Sequence, residues 1–134
     1  MNVLVIDGQG GRIGKTVVEE IKKLSPSITV TAVGTNAMAT AAMLKGCADE
    51  AATGENPVAV CSKKADVIVG PIGIVIANAL LGEVTPLMAR AVGESDAVRI
   101  LIPVEKCNTH VAGVNPLNLQ AAVQDAVKTI KTML

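Results

Sequence analysis

A glycine-rich segment near the N-terminus has the residue types and spacing of a phosphate-binding turn. It follows an aliphatic run, precedes a helical pattern, and could gain positive charge from Lys15 just beyond it. Glycine permits turns with positive φ and lets backbone N–H groups approach a phosphate at the start of a helix. We predict that this segment binds the phosphate of a nucleotide through Gly8, Gln9, Gly10, Gly11, Arg12, Ile13 and Gly14.

Two other interpretations of this segment remain. It could be a tight strand-to-helix turn that binds nothing, or it could be a P-loop, because Gly14 is followed by Lys15 and Thr16. A P-loop requires a glycine five positions before Gly14, where this chain has Gln9. The predicted fourth strand also ends without an acidic residue to hold Mg²⁺. A nucleotide-binding turn of another kind is therefore favoured.

Further polar or glycine-rich groups follow other predicted strands. Thr35 and Asn36 follow the second strand, where NAD-binding proteins usually carry an acid that binds the ribose hydroxyls. No carboxylate is present there, but both side chains could hydrogen-bond a ribose or a 2′-phosphate. A second glycine turn follows the fourth strand. Because ligands of such folds lie beyond the carboxyl ends of the strands, we add Gly70, Pro71, Ile72 and Gly73 to the predicted site.

The sequence assigns no catalytic residue. Surface or turn positions are the default for acids, so we expect Asp7 to be a solvated turn residue. We expect a partly buried structural histidine at His110, which is the only histidine of the chain. The remaining candidates near predicted strand ends are Glu55, Glu105 and Cys107.

Composition excludes several function classes. The chain of 134 residues has no Phe, Tyr or Trp, so no ring can stack on a base or supply a tyrosine acid. Twelve basic residues balance twelve acidic ones without a basic stripe, which argues against nucleic acid. The three cysteines are too widely spaced for a C-x-x-C metal site and are expected to be reduced and mostly buried. No signal peptide or membrane-spanning run is predicted, and we expect a cytoplasmic protein without a metal.

Alternating aliphatic runs and helical patterns predict a single α/β domain over residues 1–134. The expected architecture is a doubly wound, mostly parallel, Rossmann-like sheet of five to six strands with helices on both faces. The apolar segment Ile72–Leu81 is expected to form a buried or interface helix. The strands are predicted at Val3–Ile6, Thr29–Val33, Ala51–Thr53, Asp66–Val69 and Val98–Ile102, and near His110–Val114.

Two resemblances accompany these patterns. Residues 8–14 resemble the glycine loop of the dihydrodipicolinate reductases, with Ile13 in place of a methionine. That resemblance implies a pyrophosphate site for NADH or NADPH, and it covers this one turn. Nearly the whole chain resembles a family of short bacterial proteins of unknown function, through segments that include Val5–Gly11, Ala52–Asn56 and Val69–Val75. The second resemblance implies a Rossmann-like fold and does not indicate an activity.

These observations predict a protein that binds a nucleotide or dinucleotide, with NAD or NADP as candidates, through the glycine loop. A small oxidoreductase with its substrate site between subunits is one alternative. A structural oligomer whose glycine turns bind nothing is another. The high aliphatic content favours self-association into a dimer or larger homo-oligomer, because so small a sheet needs cover on both faces.

Overall fold

A computed structural model describes residues 1–104, 108–114 and 118–134 of the chain. Strands and helices alternate along it. The strands are β1 (Asn2–Asp7), β2 (Thr29–Gly34), β3 (Glu50–Thr53), β4 (Val67–Pro71) and β5 (Val98–Ile102). The helices are α1 (Arg12–Leu24), α2 (Ala37–Lys45), α3 (Glu55–Ser62), α4 (Pro86–Glu94) and α5 (Leu119–Lys131), with a single 3-10 turn at Ile72–Val75.

All described strands pair in parallel, in the order β3-β2-β1-β4-β5. In the central pairs, Val5 lies beside Ala32 of β2 and beside Val69 of β4. The chain builds the sheet outward from β1 to β3, returns across β1 to β4, and continues to β5. The order therefore reverses between β1 and β4, and the carboxyl ends of these strands border a crevice where such folds bind ligands.

Two aliphatic layers cover the two faces of the sheet. Val3 and Val5 of β1 pack with α1, α2 and α5, whereas Leu4 and Ile6 pack with α3, α4 and the segment after β4. This alternation follows from the two-residue period of a strand. The central strands are aliphatic on both faces because helices cover both, as the sequence predicts for a doubly wound sheet.

Two predicted elements are wrong. Residues His110–Val114 contain a turn and no strand, so the described sheet has five strands. Ile72–Leu81 is not a continuous helix, since one 3-10 turn is followed by turns in which Asn78, Leu80 and Leu81 have positive φ. Ala79 and Leu80 are buried, which accounts for the apolar character that suggested a helix. Within the described residues, no helix is long and apolar enough to cross a membrane.

Close packing of α1 against β1 depends on a glycine inside the helix. A Cβ atom at Gly14 would lie 2.6 Å from the Met43 sulfur and 2.8 Å from the Asp7 Cβ. Both neighbours are buried in the domain. The absence of a side chain at Gly14 therefore sets how closely the helix approaches the strand.

Replacing Gly14 with alanine should destabilise the protein. The added methyl group overlaps buried neighbours, and overpacking of this kind costs about 1–3 kcal/mol. Gly93→Ala is the matched control, because it also changes a helical glycine but a Cβ there meets nothing within 4 Å. Urea denaturation should show a lower free energy of unfolding for Gly14→Ala and no loss for Gly93→Ala. Equal stability of the two variants would contradict this packing.

Candidate functional site

The carboxylate of Asp7 fixes the glycine loop between β1 and α1. Its Oδ1 accepts a hydrogen bond from the Gly8 N–H at 2.8 Å, and its Oδ2 accepts one from the Gly14 N–H at 2.7 Å. Gly11, the N-cap of α1, makes no side-chain cap bond, so Asp7 caps the helix from the preceding strand. The prediction of a solvated turn aspartate is wrong, because Asp7 is 4% exposed.

The remaining backbone donors of the loop divide into two groups. The Gly11 N–H bonds to the Gly8 carbonyl at 2.9 Å, and the Gln9 N–H bonds to a side chain at the same distance. Among the described residues, the N–H groups of Gly10, Arg12 and Ile13 have no hydrogen-bond acceptor. These free donors lie at the positive end of the α1 dipole, where an anion is stabilised.

An open cavity of about 1250 Å³ lies beside these donors. It extends from the glycine loop across the ends of β4 and β5 to α5, at the point where the strand order reverses. Most of its wall is aliphatic, including Ile72, Ile102 and Val104. Among the described residues that line it, the polar side chains are those of Asp7, Gln9, Arg12, Asn118 and Asp125.

The structure separates the sequence-predicted site residues into two sets. The residues that line the cavity are Gly8, Gln9, Gly10, Gly11, Arg12, Ile13, Pro71, Ile72 and Gly73. Gly14, Thr35, Asn36 and Gly70 do not line it. Gly70 is a packing residue, because a Cβ there would overlap the Ile6 carbonyl oxygen. The sequence did not indicate the wall formed by Asn118, Ala122 and Asp125 of α5 and its N-cap.

Glu83 is a further polar residue of the loop region that the sequence did not single out. Its Oε1 accepts hydrogen bonds from the Gln9 N–H at 2.9 Å, Thr35 Oγ1 at 2.8 Å and Asn36 Nδ2 at 2.6 Å. Asn36 Nδ2 also donates to the Gln9 carbonyl at 3.0 Å. A carboxylate therefore lies at the end of β2 after all, but it comes from the segment after β4.

The hydrogen bonds to Glu83 change its acidity. Partial burial raises the pKa of Glu83, but the bonds from the Gln9 N–H, Asn36 and Thr35 together outweigh that effect. The pKa therefore lies below the ordinary glutamate value. Glu83 is accordingly a carboxylate at neutral pH, and it stabilises the fold in that form.

Other candidates lie away from the cavity. Lys15 pairs with Glu19 at 3.8 Å on the outer face of α1 and does not line the cavity. Glu55 accepts a hydrogen bond from Thr85 Oγ1 at 2.5 Å, and it too is outside the cavity wall. His110 is exposed rather than partly buried, and it has an interaction partner.

The cysteines agree with the expectation only in part. Cys47 is exposed, contrary to the expectation of mostly buried thiols. Cys61 is half-buried, and burial raises the pKa of its thiol. Glu105 and Cys107 lie outside the described residues. Within those residues, no group of three or more His, Cys, Asp or Glu side chains is arranged to hold a metal ion.

The sheet order, the glycine loop and the position of the cavity define a Rossmann-like α/β protein. A family model described as Domain of unknown function (DUF3842) matches residues 2–134, and the chain belongs to that family. A search of curated proteins found no match.

Among solved structures, the chain is similar to a dodecameric FMN-dependent UbiX-like decarboxylase from Escherichia coli O157:H7. The identity is 14% and the TM-score is 0.56, with 99% of this chain and 94% of that chain covered. This similarity agrees with the Rossmann-like fold.

Replacing Glu83 with glutamine should lower stability in a pH-dependent manner. The hydrogen bonds to this side chain would lose the strength that the negative charge gives them, at a cost of about 1–2 kcal/mol at neutral pH. Because folding lowers the pKa of Glu83, its contribution is fully present above the unfolded-state pKa and is lost as the pH falls through the folded-state value.

Chemical denaturation of both proteins from pH 7 to pH 3 measures this difference. The gap between wild type and Glu83→Gln should be constant near neutrality and should close in acid. Glu94→Gln is the control, since Glu94 is exposed and pairs with Arg90 away from the loop. A gap that stays constant into acid would contradict the role of the Glu83 charge.

Proposed function

We propose that this protein binds a nucleotide, with a phosphate group on the glycine loop and the remainder of the ligand in the adjoining cavity. The observation that carries the proposal is the set of free N–H groups of Gly10, Arg12 and Ile13, all in residues that line the cavity. An anion at this position would accept their hydrogen bonds and face the N-terminus of α1. The exposed Arg12 side chain would supply a positive charge.

The chemistry of the wall indicates how the ligand would be held. A nucleotide base in this cavity would pack against aliphatic side chains such as Ile72, Ile102 and Val104. No aromatic stacking is available, because the chain has no Phe, Tyr or Trp. Specific contacts to a sugar or base would come from Asn118 and Asp125 on the α5 side.

Candidate ligands are NAD, NADP and FMN. The first two follow from the glycine loop, and the third follows from the FMN dependence of the similar UbiX-like decarboxylase. A sensor or subunit that binds the nucleotide is the primary proposal. An oxidoreductase with a substrate site between subunits is the alternative, and turnover of a reduced cofactor would distinguish it from a sensor.

Gly10→Ala should weaken nucleotide binding without destabilising the fold. A Cβ at Gly10 would meet no protein atom within 4 Å and the residue has no positive φ, so the methyl group would obstruct only a ligand. We expect at least a tenfold loss of affinity by calorimetry, which corresponds to about 1.4 kcal/mol. The change in melting temperature on adding nucleotide should shrink accordingly.

The control for this prediction is Gly93→Ala. A Cβ at Gly93 also has no protein atom within 4 Å, but Gly93 is distant in sequence from the loop. It should bind nucleotide as the wild type does. Because the protein has no Tyr or Trp, the ultraviolet spectrum would also reveal any co-purified nucleotide directly. Absence of binding by the wild type to all three ligands, and of any such absorbance, would contradict the proposed function.

We also propose that the protein forms a homo-oligomer. Leu81 is 99% exposed at a turn after β4, which leaves a large apolar side chain in water. The similar UbiX-like decarboxylase is dodecameric. Contact between copies at this turn would remove the side chain from water.

Leu81→Ser should therefore reduce assembly. Light scattering should give wild-type mass as a multiple of the 13.6 kDa chain and a smaller mass for this variant. Met38→Ser is the control, because Met38 is also an exposed apolar residue, at 69%, but lies on α2. A monomeric wild type at micromolar concentration would contradict self-association.

A further inference from the structure

We propose that Glu83 makes the site selective for a phosphate monoester, such as a mononucleotide, over a dinucleotide. This inference rests on the proposed nucleotide site at the glycine loop. A dinucleotide in a Rossmann-like site needs room on both sides of that loop, with one ribose at the end of β2. In this chain, the Glu83 carboxylate lies at the end of β2, where it accepts hydrogen bonds from Thr35 and Asn36.

Most polar groups at the end of β2, where one ribose of a dinucleotide would lie, already make hydrogen bonds within the protein. Glu83 Oε1 accepts hydrogen bonds from the Gln9 N–H, the Thr35 hydroxyl and the Asn36 side-chain amide. Asn36 Oδ1 is also in use, since it accepts a hydrogen bond from the Ala39 N–H at 2.9 Å as the cap of α2. A ribose that bonded to Thr35, Asn36 or Glu83 Oε1 would have to replace bonds that the protein already makes, including bonds to a charged acceptor.

Protein atoms also pack closely around Gly8 at the end of β2. A Cβ atom at Gly8 would lie 2.6 Å from Thr35 Oγ1, 2.7 Å from Leu80 Cδ1 and 3.1 Å from Glu83 Oε1. The space that the first glycine leaves open is therefore filled by the protein itself. At Gly10, by contrast, nothing lies within 4 Å of such an atom, so the loop is open on the cavity side.

Backbone hydrogen bonds and buried side chains fix the position of the segment that carries Glu83. The Asn78 N–H bonds to the Val84 carbonyl at 2.7 Å, and the Val84 N–H bonds to the Ala79 carbonyl at 3.1 Å. Leu80 and Leu81 have positive φ, which costs free energy for bulky side chains and requires compensation from the surrounding structure. Burial of Ala79, Leu80 and Val84 in the core supplies that compensation.

A phosphate on the free donors would therefore have one direction open to the group it carries. That direction leads along the cavity toward β4, β5 and α5. A monoester, which has a single substituent on its phosphate, fits this arrangement. A pyrophosphate that joins two nucleosides does not, because its second nucleoside would meet Glu83.

Calorimetric titration with AMP, FMN and NAD tests the inference on the wild type, Glu83→Ala and Glu83→Gln. The wild type should bind at least one of the monoesters at least tenfold more tightly than NAD. Glu83→Ala removes the carboxylate and frees its donors, so NAD affinity should rise about tenfold while affinity for the monoester stays within threefold. Glu83→Gln retains the side-chain volume and an acceptor oxygen, so it should still exclude NAD. Urea denaturation would verify that both variants fold.

The outcomes separate this inference from the proposed function. Wild-type binding of NAD as tight as that of the monoesters would overturn the inference and leave the nucleotide site intact. Loss of NAD affinity in Glu83→Ala would also overturn it, because Glu83 would then be binding the ribose. Failure of these three ligands and of NADP to bind the wild type would overturn both proposals.

Discussion

The two hydrogen bonds from backbone N–H groups to the Asp7 carboxylate are the constraint on which the rest of the site depends. They join the last residue of β1 to the first turn of α1 across the glycine loop. Because Asp7 is buried, removal of its carboxylate would leave the Gly8 and Gly14 N–H groups without that acceptor, at a cost of about 1–3 kcal/mol each. By using these two donors, Asp7 leaves those of Gly10, Arg12 and Ile13 at the cavity.

The glycines of the loop have different physical roles, although the sequence presents them as one motif. Because Gly8 has no side chain, Thr35 and Leu80 can pack against it. Gly14 allows Met43 and Asp7 to pack closely in the same way. Gly11 has a φ of 72° and faces the backbone of Ala39, so both its conformation and its contacts require glycine. Of these four glycines, only Gly10 would place a Cβ with no protein atom within 4 Å, so packing does not require a glycine there.

Most of the fold could be predicted from sequence because its signals are local. β1 and β2 are short aliphatic runs. Asn36 caps α2 through a side-chain bond from the Ala39 N–H, and Thr85 caps α4 through one from the Met88 N–H. The segment Ile72–Leu81 was predicted wrongly because apolar residues fit a buried turn as well as a helix. Its positive φ angles at Leu80 and Leu81 contradict the preference of those residues, so only the tertiary structure accounts for them.

The site was predictable on the side nearest in sequence and not on the sides that come from a distance. The glycine loop is contiguous and has a recognisable spacing. Glu83, in contrast, contacts Gln9 across 74 positions and Asn36 across 47, and nothing in the local sequence indicates either contact. The α5 wall is likewise formed by residues more than a hundred positions after the loop. The sequence near β2 has no acid at the position where NAD-binding proteins usually carry one, and the structure brings a carboxylate there from the segment after β4.

The most direct test of the proposed phosphate site is an amide ¹H–¹⁵N NMR titration of the wild-type protein with AMP, FMN, NAD and NADP. We predict that at least one of them produces large, saturable shifts at the Gly10, Arg12 and Ile13 amides. The Gln9 amide and the Asn36 side-chain amide, which are bonded to Glu83, should change little. Shifts concentrated at Gln9 and Asn36, or no saturable shift at the three free amides with any of these ligands, would contradict the proposed site.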